Sequence, residues 1–192
     1  RSTWEDMDVA PRALDLLDVG HRSIMHLTTS ERWTIQQRQR GFLAAIEQVE
    51  GARGDIHVLP RGSTEAGEHF IREFGLAALS RYTAISCFND LVAAGVLQAL
   101  ETAAVRVPDT ISLIGFDNLS FAALFTPRLA TMHVDRVELG REAVRLALGQ
   151  LADPERPPRQ VEIAVQYVEG GSIGPVHENE NSVTTDTTTI PA

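Results

Sequence analysis

Lysine is absent from this chain: all 17 cationic side chains are arginine, set against 26 carboxylates, for a formal net charge of −9. A surface that grips nucleic-acid phosphates needs clustered cations, so this balance excludes DNA or RNA binding by the chain on its own. The missing lysine also means that any cationic contact to an anion or polyol is made by a planar guanidinium. Cysteine is nearly absent too. Cys87 stands alone, so no disulfide can form within the chain, and a reducing, cytoplasmic setting fits. It lies in the apolar run Thr83-Ala84-Ile85-Ser86-Cys87-Phe88 and reads as a small core residue rather than a nucleophile. No stretch reaches the roughly 18 continuous apolar residues of a membrane span. The opening Arg1-Ser2-Thr3-Trp4-Glu5-Asp6 has no apolar centre and so is no signal peptide. The chain begins without Met, and we expect it to be a portion of something longer. The six histidines show no metal-ligand spacing, and neither a Ser/His/Asp arrangement nor a P-loop is visible. No residue is therefore assigned a catalytic or metal-binding role, and neither cofactor nor enzymatic activity is expected.

What is there alternates. An apolar fraction of 43% with 22% charged residues is ordinary for a soluble α/β protein, and 192 residues suffice for one sizeable domain or two small lobes. Ala10, Ala13, Leu14, Leu16 and Leu17 form a helical stripe closed by Gly20. Ile24 to Leu27 reads as a strand, Thr34 to Val49 as a helix, and Asp55 to Leu59 as a strand stopped by Pro60. A helix follows from the cap Ser63 to Gly75. Thr83 to Phe88 is a strand and Asn89 to Leu100 a capped helix; Ile111 to Phe116 is a strand, then 117–128 a loop. Leu129 to Val134 is a strand, Val137 to Leu151 a helix, and Val161 to Val168 a last strand. Alternating helices and near-continuous β-branched strands predict a parallel doubly wound α/β sheet covered on both faces.

In such sheets ligands sit off the carboxyl ends of the strands. Two of those ends carry adjacent polar residues: Asn89-Asp90 after Phe88, and Asp117-Asn118 after Gly115-Phe116. Asn89 and Asp90 read equally well as helix caps; Asp117 has no helix pattern directly after it, so capping explains it less well.

Several blocks then occur in one order. Gly20-His21-Arg22-Ser23-Ile24 comes first, followed by Arg38 ahead of Gly41-Phe42. Next stand Ala84-Ile85-Ser86-Cys87-Phe88-Asn89-Asp90, Val107-Pro108-Asp109-Thr110-Ile111-Ser112-Leu113-Ile114-Gly115-Phe116-Asp117-Asn118, Thr126-Pro127-Arg128-Leu129-Ala130-Thr131-Met132-His133-Val134, and Leu139-Gly140. From about residue 8 to 175 the chain closely resembles the effector-binding core of LacI/GalR-family transcription repressors. The resemblance implies a type I periplasmic-binding-protein-like fold, two lobes hinged around a small-molecule cleft, of which the C-terminal lobe is whole and the N-terminal one partial. It implies that 1–20 is a remnant of the N-terminal lobe with its crossover helix and 21–134 the effector-binding C-terminal lobe. Residues 135–160 would be a segment returning to the N-terminal lobe, joined through the stiff connector Asp153 to Pro158, with 161–175 the final strand and crossover. The polar tail 176–192 is expected to be disordered.

The resemblance also implies a sugar or related metabolite as effector, a homodimer, and operator DNA reached only through an N-terminal head that precedes residue 1. Arg38, Asn89, Asp117 and Arg136 are carried over as ligand contacts, Asp90 and Asn118 as capping or supporting groups. Their chemistry suits hydroxyls: a carboxylate accepts, an amide does both, a guanidinium donates a fork. A surface helix residue is the lesser alternative for Arg38. The apolar loop Leu119–Phe125, with Leu91, Ala94, Phe121, Leu124 and Phe125 as its contact residues, is implied as the dimer interface, a core-facing loop being the alternative. The same fold also serves periplasmic sugar-binding proteins of transporters, which is the competing function.

The sequence departs from the family in places. The usual aspartate-asparagine pair would fall near Trp4 and Glu5. Arg61-Gly62-Ser63 stands where an aromatic ring often meets the sugar. Arg136 replaces a frequently apolar or aromatic residue, and Glu169-Gly170-Gly171-Ser172 lacks the usual arginine. A more cationic, less aromatic cleft follows, suited to a phosphorylated or acidic sugar. With the first part of the N-terminal lobe lacking, Val137, Leu139, Val144, Leu146 and Leu148 are expected to form an exposed apolar stripe.

Overall fold

A computed structural model describes residues 11–29 and 33–176. Residues 1–10, with Trp4 and Glu5, and the expected tail beyond Val176 lie outside the described residues. The elements run α1 (Pro11–Asp18), β1 (Ser23–Thr29), α2 (Trp33–Glu47), β2 (Arg53–Leu59), α3 (Thr64–Phe74), α4 (Leu76–Leu79), β3 (Ala84–Cys87) and α5 (Asp90–Thr102). They continue with β4 (Ser112–Ile114), a 3-10 turn (Ser120–Leu124), β5 (Thr131–Val134), α6 (Arg136–Ala152) and β6 (Val165–Val168).

The central sheet is parallel, in the order β2-β1-β3-β4. Parallel bridges from Ile114 to Ala130 and from Asp117 to His133 carry it on towards β5. Alternation along each strand sends its side chains to two cores. Ile24, Ala84 and Ile114 face Leu16 and Leu17 of α1 and Phe42, Ala45 and Ile46 of α2. Met25, Leu27, Ile85, Cys87 and Leu113 face α3 and α5. Cys87 is fully buried, as its apolar run implies.

α5 is the most enclosed helix, buried from Val92 through Leu97. It lies so close to α3 that a methyl group at Gly95 would overlap the Thr64 carbonyl, so glycine is required by contact rather than by conformation. α3 begins as expected, with the Ser63 hydroxyl accepting from the Ala66 N–H at 3.4 Å. Within α6, by contrast, none of the helical residues is buried. Val137, Leu139, Val144 and Leu148 all stand exposed, continued by Leu151 at 78% exposure.

One expectation is corrected. The last strand is half its predicted length and pairs antiparallel with β5 in a two-stranded sheet of its own, while the four-stranded sheet is parallel throughout. It forms only where β5 supplies a ladder, from Thr131 to Val134; residues 161–164 face no partner strand. α4 and the 3-10 turn were not anticipated, being single turns too short to show a period. His21 Nε2 lies 3.1 Å from the Gly174 carbonyl and so ties the approach to β1 to the end of the described chain.

Candidate functional site

The strand order reverses between β1 and β3, since β2 lies on one side of β1 and β3 with β4 on the other. A crevice opens at the carboxyl ends of strands flanking such a point, and three of the predicted contacts converge there. Arg38 reaches in from the second turn of α2, Asn89 follows β3, and Asp117 follows β4.

Arg38 is half-buried and held by two hydrogen bonds. Its Nη1 donates to the Phe88 carbonyl at 2.6 Å and its Nη2 to Asp117 Oδ1 at 3.5 Å. The guanidinium carbon stands 3.7 Å from the centroid of the Phe116 ring, a stacking that a planar cation favours and an ammonium would not match. Burial pulls the guanidinium below its ordinary pKa, while the Asp117 charge and hydrogen bond oppose the fall. Arg38 is thus anchored against the strand ends rather than standing free on the helix surface.

Asn89 takes the capping role. Its Oδ1 accepts from the Val92 N–H at 2.8 Å, and its Nδ2 donates to the Gly62 carbonyl at 3.1 Å. That second bond ties the mouth of α5 to the loop ahead of α3, and leaves one amide hydrogen and one lone pair for a ligand. Asp90, the first residue of α5, does not cap the helix and is completely buried. Burial raises its carboxyl to about 6, against the lowering effect of hydrogen bonds from Thr131 and Leu119.

Asp117 and Asn118 form a turn with both φ angles positive, 103° and 49°. The Asn118 side-chain amide nitrogen lies 3.2 Å from His133 Nδ1. Arg136 donates from Nη1 to the Asp117 main-chain carbonyl at 2.7 Å. The structure therefore gathers Arg38, Asp90 and Arg136 around the Asp117–Asn118 turn, with Arg136 reaching its backbone, while Asn89 bonds to Val92 and the Gly62 loop.

Sequence reasoning missed Phe116 as the ring beneath Arg38, the Phe88 carbonyl as its acceptor, and the Thr131 and His133 side chains behind the turn. A ring directly preceding a strand-end carboxylate was the one available signal. The residues expected at a dimer interface divide. Leu124 is 83% exposed and Leu91 partly so, whereas Ala94 is only 6% exposed, covered within the protomer. Phe121 and Phe125 meet edge to face with ring centroids 6.0 Å apart, and Phe125 leans on the core. A cavity of about 130 Å³ lined by His21, Tyr82, Thr83 and Ile111 lies at the opposite, amino-terminal ends of the strands. Among the described residues no His, Cys, Asp and Glu group is placed to hold a metal ion, and no helix is long and apolar enough to cross a membrane.

Residues 13–173 match the periplasmic binding protein-like domain family. The HTH-type transcriptional repressor PurR of Mannheimia succiniciproducens is 33% identical over 155 residues, covering 80% of this chain and 46% of that protein. Its counterpart in Photobacterium profundum is 32% identical over 158 residues, with 79% and 46% covered. The chain thus spans about half the length of the curated relatives it matches. A LacI family transcriptional regulator from Enterococcus faecium, solved with bound ribose, superposes with a TM-score of 0.77 at 24% identity, over 88% of this chain and 63% of that one. One from Mycobacterium smegmatis gives 0.76 at 19% identity, over the same shares. At such identities these two likenesses establish the fold.

Proposed function

Because the chain belongs to the LacI/GalR family of transcription regulators, whose periplasmic-binding-protein-like effector core it supplies, we propose that it senses a small metabolite and relays that signal to DNA. The observation that carries this reading is the Arg38–Asp117 pair at the switch point, 3.5 Å apart and backed by Phe116. A guanidinium beside a carboxylate offers donors and an acceptor to a compound bearing both in adjacent positions, such as a vicinal diol. The effector class is a sugar or sugar derivative, in keeping with the ribose of the Enterococcus faecium regulator. The Arg38 charge is already matched by Asp117, which favours a neutral polyol over the phosphorylated or acidic sugar that the arginine content suggests.

The binding lobe is residues 21–134. α6 and its flanks belong to the other lobe, whose remaining strands and helices cover the exposed stripe of Val137, Leu139, Val144 and Leu148. Effector binding biases the angle between lobes and so the affinity of a helix-turn-helix head for operator DNA. The head is named in the PurR relatives, and this acidic chain has no part in the DNA contact. The protein works in the cytoplasm as a homodimer through Leu91, Phe121, Leu124 and Phe125. The regulators among its relatives give no support to the transporter alternative.

A thermal-shift screen of sugars, sugar phosphates and nucleobases on the full-length protein tests the reading, repeated on Asp117→Ala. One compound should raise the melting temperature of the wild type and not that of the variant. An equal shift in both, or no shift with any compound, overturns it.

A further inference from the structure

Two consecutive residues bearing side chains hold positive φ at the site, Asp117 and Asn118. Left-handed backbone is disfavoured for an L-residue, so surrounding groups must impose it. Those groups converge on one buried residue, Asp90. Ahead of the turn, the Asp90 N–H donates to the Phe116 carbonyl at 2.8 Å. Behind it, Asp90 Oδ2 accepts the Leu119 N–H at 2.8 Å. Asp90 Oδ1 accepts the Thr131 hydroxyl proton at 2.6 Å, and that hydroxyl oxygen in turn accepts the Asn118 N–H at 3.3 Å. The peptide groups on either side of Asp117 are therefore both fixed from Asp90, one directly and one through Thr131. Gly115 leaves the space that the carboxylate fills, since a methyl group there would overlap Asp90 Oδ1. Capping does not account for this carboxylate, because the orphan N–H of Val92 is taken by Asn89.

We propose that Asp90 is the positioning residue of the effector site: a buried carboxylate in the first turn of α5 that fixes the left-handed turn presenting Asp117. The proposal rests on the reading that Asp117 meets an effector. It makes α5 and the ligand-facing turn one mechanical unit, so that a displacement of Asp117 is passed to the helix carrying Leu91. The charged groups facing Asp90 are Asp117, which disfavours its ionisation, and Arg38, which interacts favourably with its charge.

Two measurements on the full-length protein without effector test this. In Thr131→Val, which keeps the shape of the side chain but neither donates to Asp90 nor accepts from Asn118, the Asn118 amide exchanges about tenfold faster with solvent. The amide of Val96, in mid-α5, keeps its rate. Equal Asn118 exchange in variant and wild type overturns the proposal. Secondly, the Leu119 amide nitrogen shift passes through a step near pH 6 in the wild type, following the raised Asp90 carboxyl. The step is absent from Asp90→Asn; a step that persists there at the same pH overturns the proposal. Neither measurement involves an effector, so a failed metabolite screen with both results intact removes the functional reading and leaves the positioning role.

Discussion

Arg136 and Asp117 meet through the main chain: the guanidinium donates to the Asp117 carbonyl at 2.7 Å, while the Asp117 carboxylate is turned to Arg38. Arg136, expected as a ligand contact, thus also braces the backbone of Asp117, proposed as another. It does so from the first turn of α6, in the segment assigned to the other lobe. Arg136 is exposed, so Arg136→Ala should cost folding about 1 kcal/mol or less. Effector affinity, measured by isothermal titration calorimetry with the compound that the thermal screen selects, should nevertheless drop several-fold. Unaltered affinity would mean that the link is dispensable.

The acid range carries a second expectation. Burial raises Asp90 and Asp15 to about 6, Asp15 with help from the Asp18 charge. The folded chain then holds these protons more tightly than the unfolded one, so the stability they contribute is complete below the ordinary carboxylate value and is lost as pH rises through about 6. For the wholly buried Asp90 a shift of about two units corresponds to about 3 kcal/mol. Urea midpoints recorded from about pH 4 to about pH 7 should decline with this component, and Asp90→Asn or Asp15→Asn should each flatten the decline. Identical slopes in all three proteins would contradict the assignment.

The α3–α5 contact admits no Cβ at Gly95. Gly95→Ala would gain helix propensity in isolation, yet must push the two helices apart, and overpacking of this kind costs about 1–3 kcal/mol. Denaturant unfolding should show a loss. A gain would mean that the helices separate at no cost.

Leu124 is the cleaner probe of the proposed dimer than Phe125, because Phe125 also leans on the core and its substitution would perturb the fold. Leu124→Asp should leave the melting temperature within about a degree and lower the mass seen by sedimentation velocity. A dimer of undiminished mass would place the interface elsewhere.

The α6 stripe is read out by a fluorescent hydrophobic dye. The isolated chain should bind it strongly, and a double change such as Leu148→Glu with Leu151→Glu should suppress the signal, since both side chains are exposed. A non-sticky, monomeric chain would show that the stripe has no need of cover.

How far the sequence carried the reading depends on how local each cause is. β1 and β3 were legible because central parallel strands bury both faces, and Ile24, Met25 and Leu27 could hardly do otherwise. Asp117 was legible because a carboxylate at a strand end with no helix after it lacks a local purpose. Arg38 could be placed only through resemblance, as its acceptor is a main-chain carbonyl 50 residues away, and carbonyls leave no trace in a side-chain pattern. Thr131 was hidden by its type: in a strand it reads as one more β-branched residue, and its bond to Asp90 exists only in the folded chain. The direction of β6 was hidden too, since Val165 to Val168 alternate alike in either orientation.

The pairing of Arg38 with Asp117 and the Phe88 carbonyl makes binding an exchange rather than an addition. An incoming metabolite must outbid partners that the protein carries within itself. A compound offering only an acceptor or only a donor recovers one side of the pair and leaves the other wanting, so the chain's own side chains act as a resident competitor. On the proposed reading the protein would answer to fewer compounds, with discrimination coming from the partners that Arg38 already holds.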